Sequence, residues 1–279
     1  MSPSALAAWA AFGIFVGAYG TLVGAGGGFL MVPALMWAAG ASPEVAAGTS
    51  LAVVLFNAVS GTWAYARRKL VDWRTALLFA AATVPGGLLG PKLLHFVPEN
   101  AFLIAFGVLM LGIAALLGLR PREPKPVLHI NPMDYGPPGF RALRQLTDAE
   151  GNTYRIHYNV PAGLALSFVV GFLSSMLGIG GGVIHVPALI YLLGFPAHLA
   201  VATSHATLAV SAGVGVFAHA RLDHILWPLA LASGCGALAG AQIGAALSRR
   251  VKTAGLLRAL ALAVALVGLR CLWMGFFPA

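Results

Sequence analysis

Charged residues are scarce in this sequence of 279 residues. It has 17 lysines and arginines and 8 aspartates and glutamates, so charged side chains make up 9% of the chain, while 59% is hydrophobic. A typical soluble domain carries about 25% charged residues, and a soluble monomer of this size could not cover its surface with so few. With a mean hydropathy of +0.87, this excludes an ordinary soluble protein. Long unbroken apolar runs favour membrane helices over a barrel, whose strands have about ten alternating residues.

Residues that carry the chemistry of several enzyme classes are also missing. The two cysteines, Cys235 and Cys271, lie inside apolar runs and form no C-x-x-C pair, which excludes a disulfide framework and a redox motif. The apolar runs hold almost no carboxylates, so no metal site is expected. No phosphate-binding G-x-x-x-x-G-K-[ST] loop is present, which argues against ATP as the energy source. We therefore expect no enzymatic activity, no cofactor and no metal.

The hydrophobic residues form runs of two lengths. Most reach the roughly 20 residues needed to cross the hydrocarbon core: 5–22, 43–66, 74–95, 100–118, 160–177, 198–218, 227–247 and 255–277. Two shorter runs, 28–40 and 183–194, each follow a glycine cluster. One polar segment, 119–159, separates residues 1–118 from 160–279 and contains no apolar run. We expect it to lie in water, with a small β-hairpin at its end, where polar and apolar residues alternate.

The two hydrophobic halves are an internal repeat. Residues 17–93 align with 171–247 without a gap, so that Gly24–Gly28 lies over Gly178–Gly182. The aligned stretches share three consecutive glycines, a Val-Pro-Ala-Leu run and a Thr-Ser pair. Small residues inflate such matches, but this string is specific. The repeat predicts two structurally equivalent units, 1–118 and 160–279.

The positions of the basic residues predict that the two units have opposite orientations. The loop at 67–74 is basic while its counterpart is not, and the loop at 248–258 is basic while its counterpart is not. If both loops and 119–159 face the cytoplasm, every lysine and arginine except Lys92, Arg221 and Arg270 is inside, as the positive-inside rule requires. A parallel arrangement obeys the rule less well. The net charge of +9 then needs no nucleic-acid partner.

These observations predict an all-α polytopic membrane protein. We expect two inverted repeats, each with a glycine-rich helical hairpin, broken or re-entrant, and three further transmembrane helices. Short, glycine-interrupted segments at matching positions of inverted halves are the best sequence indication of a transporter's substrate site. Glycine lets backbone approach a ligand closely, and a helix N-terminus binds anions without a basic side chain. Close helix packing is the alternative, and we prefer it for Gly86, Gly90, Gly240 and Gly244.

Polar residues inside the apolar runs complete the candidate site. The Thr-Ser pair recurs in both halves, Asn57 is costly to bury without a partner, and histidine titrates near neutral pH. His185 and His205 are therefore candidates for proton coupling, whereas His95, His219 and His224 are expected at the membrane interface. The predicted substrate-binding residues are Gly24, Gly26, Gly27, Gly28, Thr49, Ser50, Asn57, Gly178, Gly180, Gly181, Gly182, Thr203, Ser204 and His205.

The duplicated glycine cluster, with Pro33 or Pro187 five residues beyond it, and the following Thr-Ser pair resemble the sulfite exporter TauE/SafE family. The resemblance covers residues 10–118 and 160–275, and the segment between them is long for the family. It implies a multi-pass permease of the bacterial inner membrane for small sulfur-containing anions, commonly an exporter, with the glycines and Thr-Ser pairs at the site. Another small inorganic or carboxylate anion is the alternative substrate, a membrane-embedded enzyme or a sensor is less favoured, and homo-oligomerisation stays open.

Overall fold

The computed structural model describes residues 2–119, 141–248, 250, 251 and 253–277, which are almost entirely helical. The first half contains α1 to α5, and the second half contains a β-hairpin and α6 to α10. Their bounds are α1 Pro3–Val23, α2 Gly28–Ala39, α3 Pro43–Ala66, α4 Trp73–Leu94, α5 Glu99–Leu119, β1 Arg141–Thr147, β2 Thr153–Asn159, α6 Val160–Leu177, α7 Gly182–Tyr191, α8 Ala197–Ala220, α9 Trp227–Leu247 and α10 Thr253–Phe276.

Eight of the helices in the described ranges are long and apolar enough to cross a membrane. The two shorter apolar helices are α2 and α7, as the sequence predicts. Several starts are fixed by local chemistry: the Asp72 side chain accepts a hydrogen bond from the Thr75 N–H, and that of Asn159 accepts one from the Ala162 N–H. Such N-caps satisfy backbone donors that have no acceptor within the helix. The all-α polytopic fold is thus confirmed.

The halves interlock rather than lying side by side. Helix α1 of the first half packs on α9 of the second half, and its equivalent α6 of the second half packs on α4 of the first. Likewise α3 pairs with α8, and α5 with α10. Every one of these contacts therefore joins one half to the other. The central helices α3 and α8 are the most buried of the long helices. The centre of the molecule is thus built from both halves.

Glycines make these close helix contacts. A Cβ on Gly86 would lie 2.5 Å from the Phe168 carbonyl oxygen, and one on Gly90 would lie 2.7 Å from the Met176 nitrogen. Gly240 and Gly244 meet the backbone of α1 in the same way. These four glycines pack helices, as expected.

The polar segment ends in a two-stranded antiparallel hairpin of β1 and β2. The expected hairpin is present, but it does not lie free in water. Ile156 and Tyr158 are buried, and the Tyr158 ring packs against Phe79 of α4 and Phe195. Alternation on β2 therefore has a direct cause, because one face of the strand covers the helices. The expectation of a wholly solvated segment was wrong for these residues, and 120–140 lies outside the described part.

Candidate functional site

The two glycine clusters form sharp turns between helices. We call Gly24–Gly28 the first glycine tip and Gly178–Gly182 the second glycine tip. Each tip contains three residues with positive φ, a conformation that only glycine adopts without strain. They are Gly24, Gly26 and Gly27 at 79°, 76° and 82°, and Gly178, Gly180 and Gly181 at 70°, 77° and 68°. At these glycines a Cβ would lie closer than 3 Å to a neighbouring atom, so the turns leave no space for a side chain there.

The two tips contact each other through their backbones. A Cβ built on Gly28 would lie 2.6 Å from the carbonyl oxygen of Gly178. Reciprocally, a Cβ on Gly182 would overlap the carbonyl oxygen of Gly24. The starts of α2 and α7, from opposite halves, therefore meet at one place, with no room between them for even a methyl group.

The Thr-Ser pair of the first half stabilises this meeting point. The Ser50 hydroxyl donates to the Gly178 carbonyl at 2.7 Å and lies 3.3 Å from the Gly28 carbonyl, so it ties one tip to the other. Thr49 accepts a hydrogen bond from the Leu226 N–H at 2.9 Å. Its repeat equivalent, Thr203, accepts one from the Asp72 N–H at 3.2 Å. Each threonine therefore fixes the chain entering a helix of the other half.

Asn57 braces the first tip. Its Nδ2 donates to the Gly26 carbonyl at 2.9 Å, and its Oδ1 accepts from the Thr21 hydroxyl at 2.7 Å. Both ends of the buried amide are thus satisfied, which removes the cost of burying it. In this state Asn57 holds the tip rather than offering a free group to a ligand.

Ser204 differs from its repeat equivalent Ser50. It is completely buried, yet its Oγ has no hydrogen-bond partner among the described residues, and the same holds for Nε2 of His185. An unsatisfied buried polar group costs about 1–3 kcal/mol, so native proteins keep few of them without a functional reason. Both residues line a cavity of about 10 Å³ beside the second tip.

We call this space the central cavity. It has room for about one water molecule, and its lining is polar but uncharged. Its lining residues are Thr83, Val170, Gly180, Gly181, Gly182, His185, Ser204, Thr207, Leu208 and Ser211. The first residue of α7 belongs to the lining, so the positive end of that helix dipole faces the cavity. Thr83 is not among the residues predicted from the sequence, although a polar residue inside the apolar run of α4 is a usable signal.

His205 lies outside the lining of the central cavity. Its ring is buried and packs edge-on against Tyr65, with the ring centroids 5.6 Å apart. Nδ1 lies 3.3 Å from the Val201 carbonyl, while Nε2 has no partner within the part of the chain that the structure describes. The structure therefore brings His185 to the second tip and places His205 apart from it.

A larger cavity, which we call the vestibule, lies at the hairpin end of the molecule. It has a volume of about 260 Å³ and is lined by Tyr65, Arg68, Leu70, Asp148, Glu150, Tyr154, His198, Val201, Ser248 and Leu256. Successive turns of α8 line first the vestibule and then the central cavity: Val201 faces the vestibule, and Ser204 is about 4.5 Å further along the helix axis. The two cavities are thus lined by neighbouring turns of α8.

The hairpin roofs the vestibule and is attached to α4 and the loop before it. Arg144 forms an ion pair with Asp72 at 3.4 Å, and the Tyr158 and Thr75 hydroxyls lie 2.8 Å apart. The Ala149 N–H donates to the Arg68 carbonyl at 3.1 Å. These contacts hold the strands and their turn over the mouth of the vestibule.

His219 corrects an expectation from the sequence. It is fully buried rather than interfacial, and its Nε2 donates to the Ser175 carbonyl at 2.9 Å. The repeat equivalent, Tyr65, donates through its hydroxyl to the Thr21 carbonyl, also at 2.9 Å. Both residues therefore cap the helix that precedes a glycine tip. The aligned residues differ in type, which hid this shared role in the sequence.

Known proteins resemble this chain along most of its length. The profile of the family described as "Sulfite exporter TauE/SafE" matches residues 9–271. "Probable membrane transporter protein YunE" of Bacillus subtilis strain 168 is 34% identical over 272 residues, which cover 95% of this chain and 96% of that relative. "Probable membrane transporter protein YfcA" of Escherichia coli K12 is 27% identical over 227 residues, which cover 81% of this chain and 74% of that relative. No solved structure matches the chain significantly.

Proposed function

This chain belongs to the sulfite exporter TauE/SafE family of membrane transporters, and we propose that it exports small sulfur-containing anions such as sulfite or organosulfonates. It is a multi-pass membrane protein whose relatives are named as transporters. We place it in the bacterial inner membrane. Another small inorganic or carboxylate anion is the alternative substrate, and the assay below separates the two.

The observation that carries the proposal is the central cavity beside the interlocked glycine tips. Its unpartnered Ser204 hydroxyl and His185 imidazole can each donate a hydrogen bond, the imidazole when Nε2 carries a proton, and the N-terminus of α7 adds backbone N–H groups that have no acceptor within the helix. Preorganised neutral donors suit a small oxyanion. They also release it more readily than a lysine or arginine would, and release is necessary for transport.

Alternating access follows from how the halves meet. Backbone contact and the Ser50 hydrogen bonds join the two tips, so a relative rotation of the halves would part them and enlarge the central cavity. The predicted binding residues of the tips and Thr-Ser pairs then act in two ways. Ser204 and the second tip contact the anion, while Thr49, Ser50, Asn57 and Thr203 hold the tips in the closed state.

Contacts at the helix ends support an inverted arrangement of the halves. Arg68, just after α3, donates to the Ala245 carbonyl near the end of α9 at 2.7 Å. In a parallel repeat the end of α3 would instead lie level with the end of α8. The vestibule also joins the basic loop after α3, the hairpin and Ser248 at one end. By the positive-inside rule, we assign this end to the cytoplasm.

Transport of a sulfur anion is tested in proteoliposomes that contain the purified protein. We expect efflux of sulfite or methanesulfonate to exceed that from protein-free liposomes, and the same anions to raise the melting temperature by mass action. Chloride and a small carboxylate are the comparison anions. Movement of the carboxylate alone would replace the substrate assignment, and movement of none of the anions would contradict the proposal.

Proton coupling is assigned to His185 and His205 and is tested separately. We expect an imposed pH gradient to drive efflux. His185→Gln should reduce the dependence of the efflux rate on the gradient more than His205→Gln, because of the two histidines only His185 lines the central cavity. Efflux that is indifferent to the gradient in the unmodified protein would remove both residues from this role.

A further inference from the structure

The repeat defines an equivalent of the central cavity beside the first tip, where most of the polar lining positions carry other residues. The aligned pairs are His185 with Met31, Ser204 with Ser50, Thr207 with Val53, Ser211 with Asn57, and Thr83 with Ala237. Four of these five positions carry a different residue beside the first tip. Of the other lining residues, Gly180–Gly182 and Val170 are the same as Gly26–Gly28 and Val16, while Leu208 aligns with Val54.

Each first-half difference removes space or a free polar group. Met31 and Val53 are apolar and buried, and Ala237 has no hydroxyl. The Asn57 side chain reaches the Gly26 carbonyl and bonds to it, whereas Ser211 is too short to make the equivalent bond across the second half. Ser50 is fully used by the carbonyls of both tips.

The second half keeps its polar groups available. The Ser204 hydroxyl and Nε2 of His185 lack partners in the described ranges, and both residues are at most 2% exposed. The Thr207 hydroxyl makes only long bonds, 3.2 Å and 3.3 Å, to the carbonyls of Thr203 and Ala76. A ligand that enters this cavity can therefore form hydrogen bonds to these groups without breaking a short existing hydrogen bond.

The lining also limits the charge of the ligand. His185 is the one ionisable side chain among the described residues around the central cavity, so the site has at most one full positive charge to balance a buried anion. Neutral donors and a helix dipole, equivalent to about half a charge, can offset one negative charge better than two. Burial of a second uncompensated charge is expensive.

We propose that each chain has one anion site, formed beside the second tip by residues of the second half together with Thr83 of α4, in which Ser204 and His185 recognise a singly charged oxyanion in preference to a doubly charged one. The first half contributes Ser50 and Asn57, whose hydrogen bonds hold the glycine tips in the closed state. This inference rests on the proposed function, since it names the side chains and the ligand charge of the same site.

The test compares repeat-equivalent variants in the purified protein. Ser204→Ala should weaken stabilisation by methanesulfonate about tenfold in apparent affinity, the loss of roughly one hydrogen bond to an ion, with the ligand-free melting temperature unchanged or higher. Ser50→Ala is the matched control: it should lower the ligand-free melting temperature and leave the affinity within about twofold. Sulfate, a dianion of similar shape, should bind at least tenfold more weakly than methanesulfonate.

A second pair of variants exchanges the repeat-equivalent residues Asn57 and Ser211. Ser211→Asn should place an amide against the Gly180 carbonyl, as Asn57 lies against Gly26, and so abolish binding without loss of stability. Asn57→Ser should lower stability but retain binding. Because Ser211→Asn adds a hydrogen bond, loss of binding in a folded protein separates a blocked site from misfolding.

The outcomes separate the two proposals. If methanesulfonate and sulfite fail to stabilise the unmodified protein, both the proposed function and this inference are wrong. If these anions bind, but Ser50→Ala and Ser204→Ala weaken binding equally, both tips contribute equally to the site, and this inference alone is overturned. Equal binding of sulfate and methanesulfonate would overturn the preference for a single charge.

Discussion

Replacement of Gly28 by alanine tests the contact between the tips. The new Cβ would lie 2.6 Å from the Gly178 carbonyl oxygen and 2.7 Å from the Ile179 carbonyl, whereas ordinary contacts begin near 3.4 Å. The tips would have to separate by about 0.8 Å, which would also lengthen the Ser50 bond to Gly178. Overpacking costs about 1–3 kcal/mol and a lost hydrogen bond about 1 kcal/mol, so we expect about 2–4 kcal/mol of destabilisation.

Thermal unfolding in detergent measures this effect, with Gly112→Ala as the control. A Cβ on Gly112 of α5 meets nothing within 4 Å, and alanine is the better helix former by about 1 kcal/mol, so that variant should be neutral or stabilised. Gly28→Ala should melt several degrees lower. If Gly28→Ala and Gly112→Ala melt together, the tips do not touch in the protein and the reasoning fails.

The reciprocal variant adds a second check on the same contact. Gly182→Ala overlaps the Gly24 carbonyl, so alone it should cost about as much as Gly28→Ala. Both changes push the same two tips apart, and once the first has separated them the second meets less resistance. The double variant should therefore lose less stability than the sum of the single ones, by about 0.5–3 kcal/mol. Additive losses would mean that the two glycines report on separate contacts.

Three further predictions concern the cytoplasmic end assigned above. Arg144→Ala should speed amide exchange of β1 and β2 by removing the ion pair to Asp72, worth up to about 1 kcal/mol; unchanged exchange would contradict a fixed roof. Burial raises the pKa of Asp148, but hydrogen bonds from Asn152 and Tyr154 outweigh this effect and hold the pKa below the ordinary 3.8. The Asp148 carboxylate therefore stabilises the hairpin turn fully above pH 3.8, and this stabilisation is lost as the pH falls further. Amide exchange of the hairpin turn should rise below that pH, and Asp148→Asn should abolish the rise. Single cysteines at positions 69 and 92 should react with an impermeant thiol reagent from opposite sides of the membrane, and reaction from one side would contradict the topology.

Local chemistry explains what the sequence could predict of the fold. The glycine clusters end their helices because glycine permits the positive φ that each tip adopts. The short lengths of α2 and α7 follow from the same clusters. The hairpin could be predicted from alternation alone, but its packing on Phe79 and Phe195 could not, because an alternating strand can face solvent or a helix bundle equally well.

The roles of the hydroxyl residues depended on distant parts of the chain. Ser50 bonds to Gly178, which is far away in sequence, and Thr49 bonds to Leu226. No pattern around either residue indicates those partners. The sequence prediction for His219 failed for a similar reason: its position at the end of an apolar run predicted an interface, but the fold buries that end against α6, where the Ser175 carbonyl accepts a hydrogen bond from its Nε2.

A repeated motif therefore marks where a site can form, and the residues that differ decide where it does form. Both halves carry the glycine tip, the proline and the Thr-Ser pair, and both tips make the same reciprocal backbone contact. The shared residues thus account for the meeting of the halves, since each half must satisfy the other. The central cavity beside the second tip is lined by a hydroxyl and an imidazole without partners among the described residues, and His185 and Ser211 stand there where the first half has Met31 and Asn57. In a duplicated transporter, the departures from the repeat are therefore the positions to examine for substrate recognition.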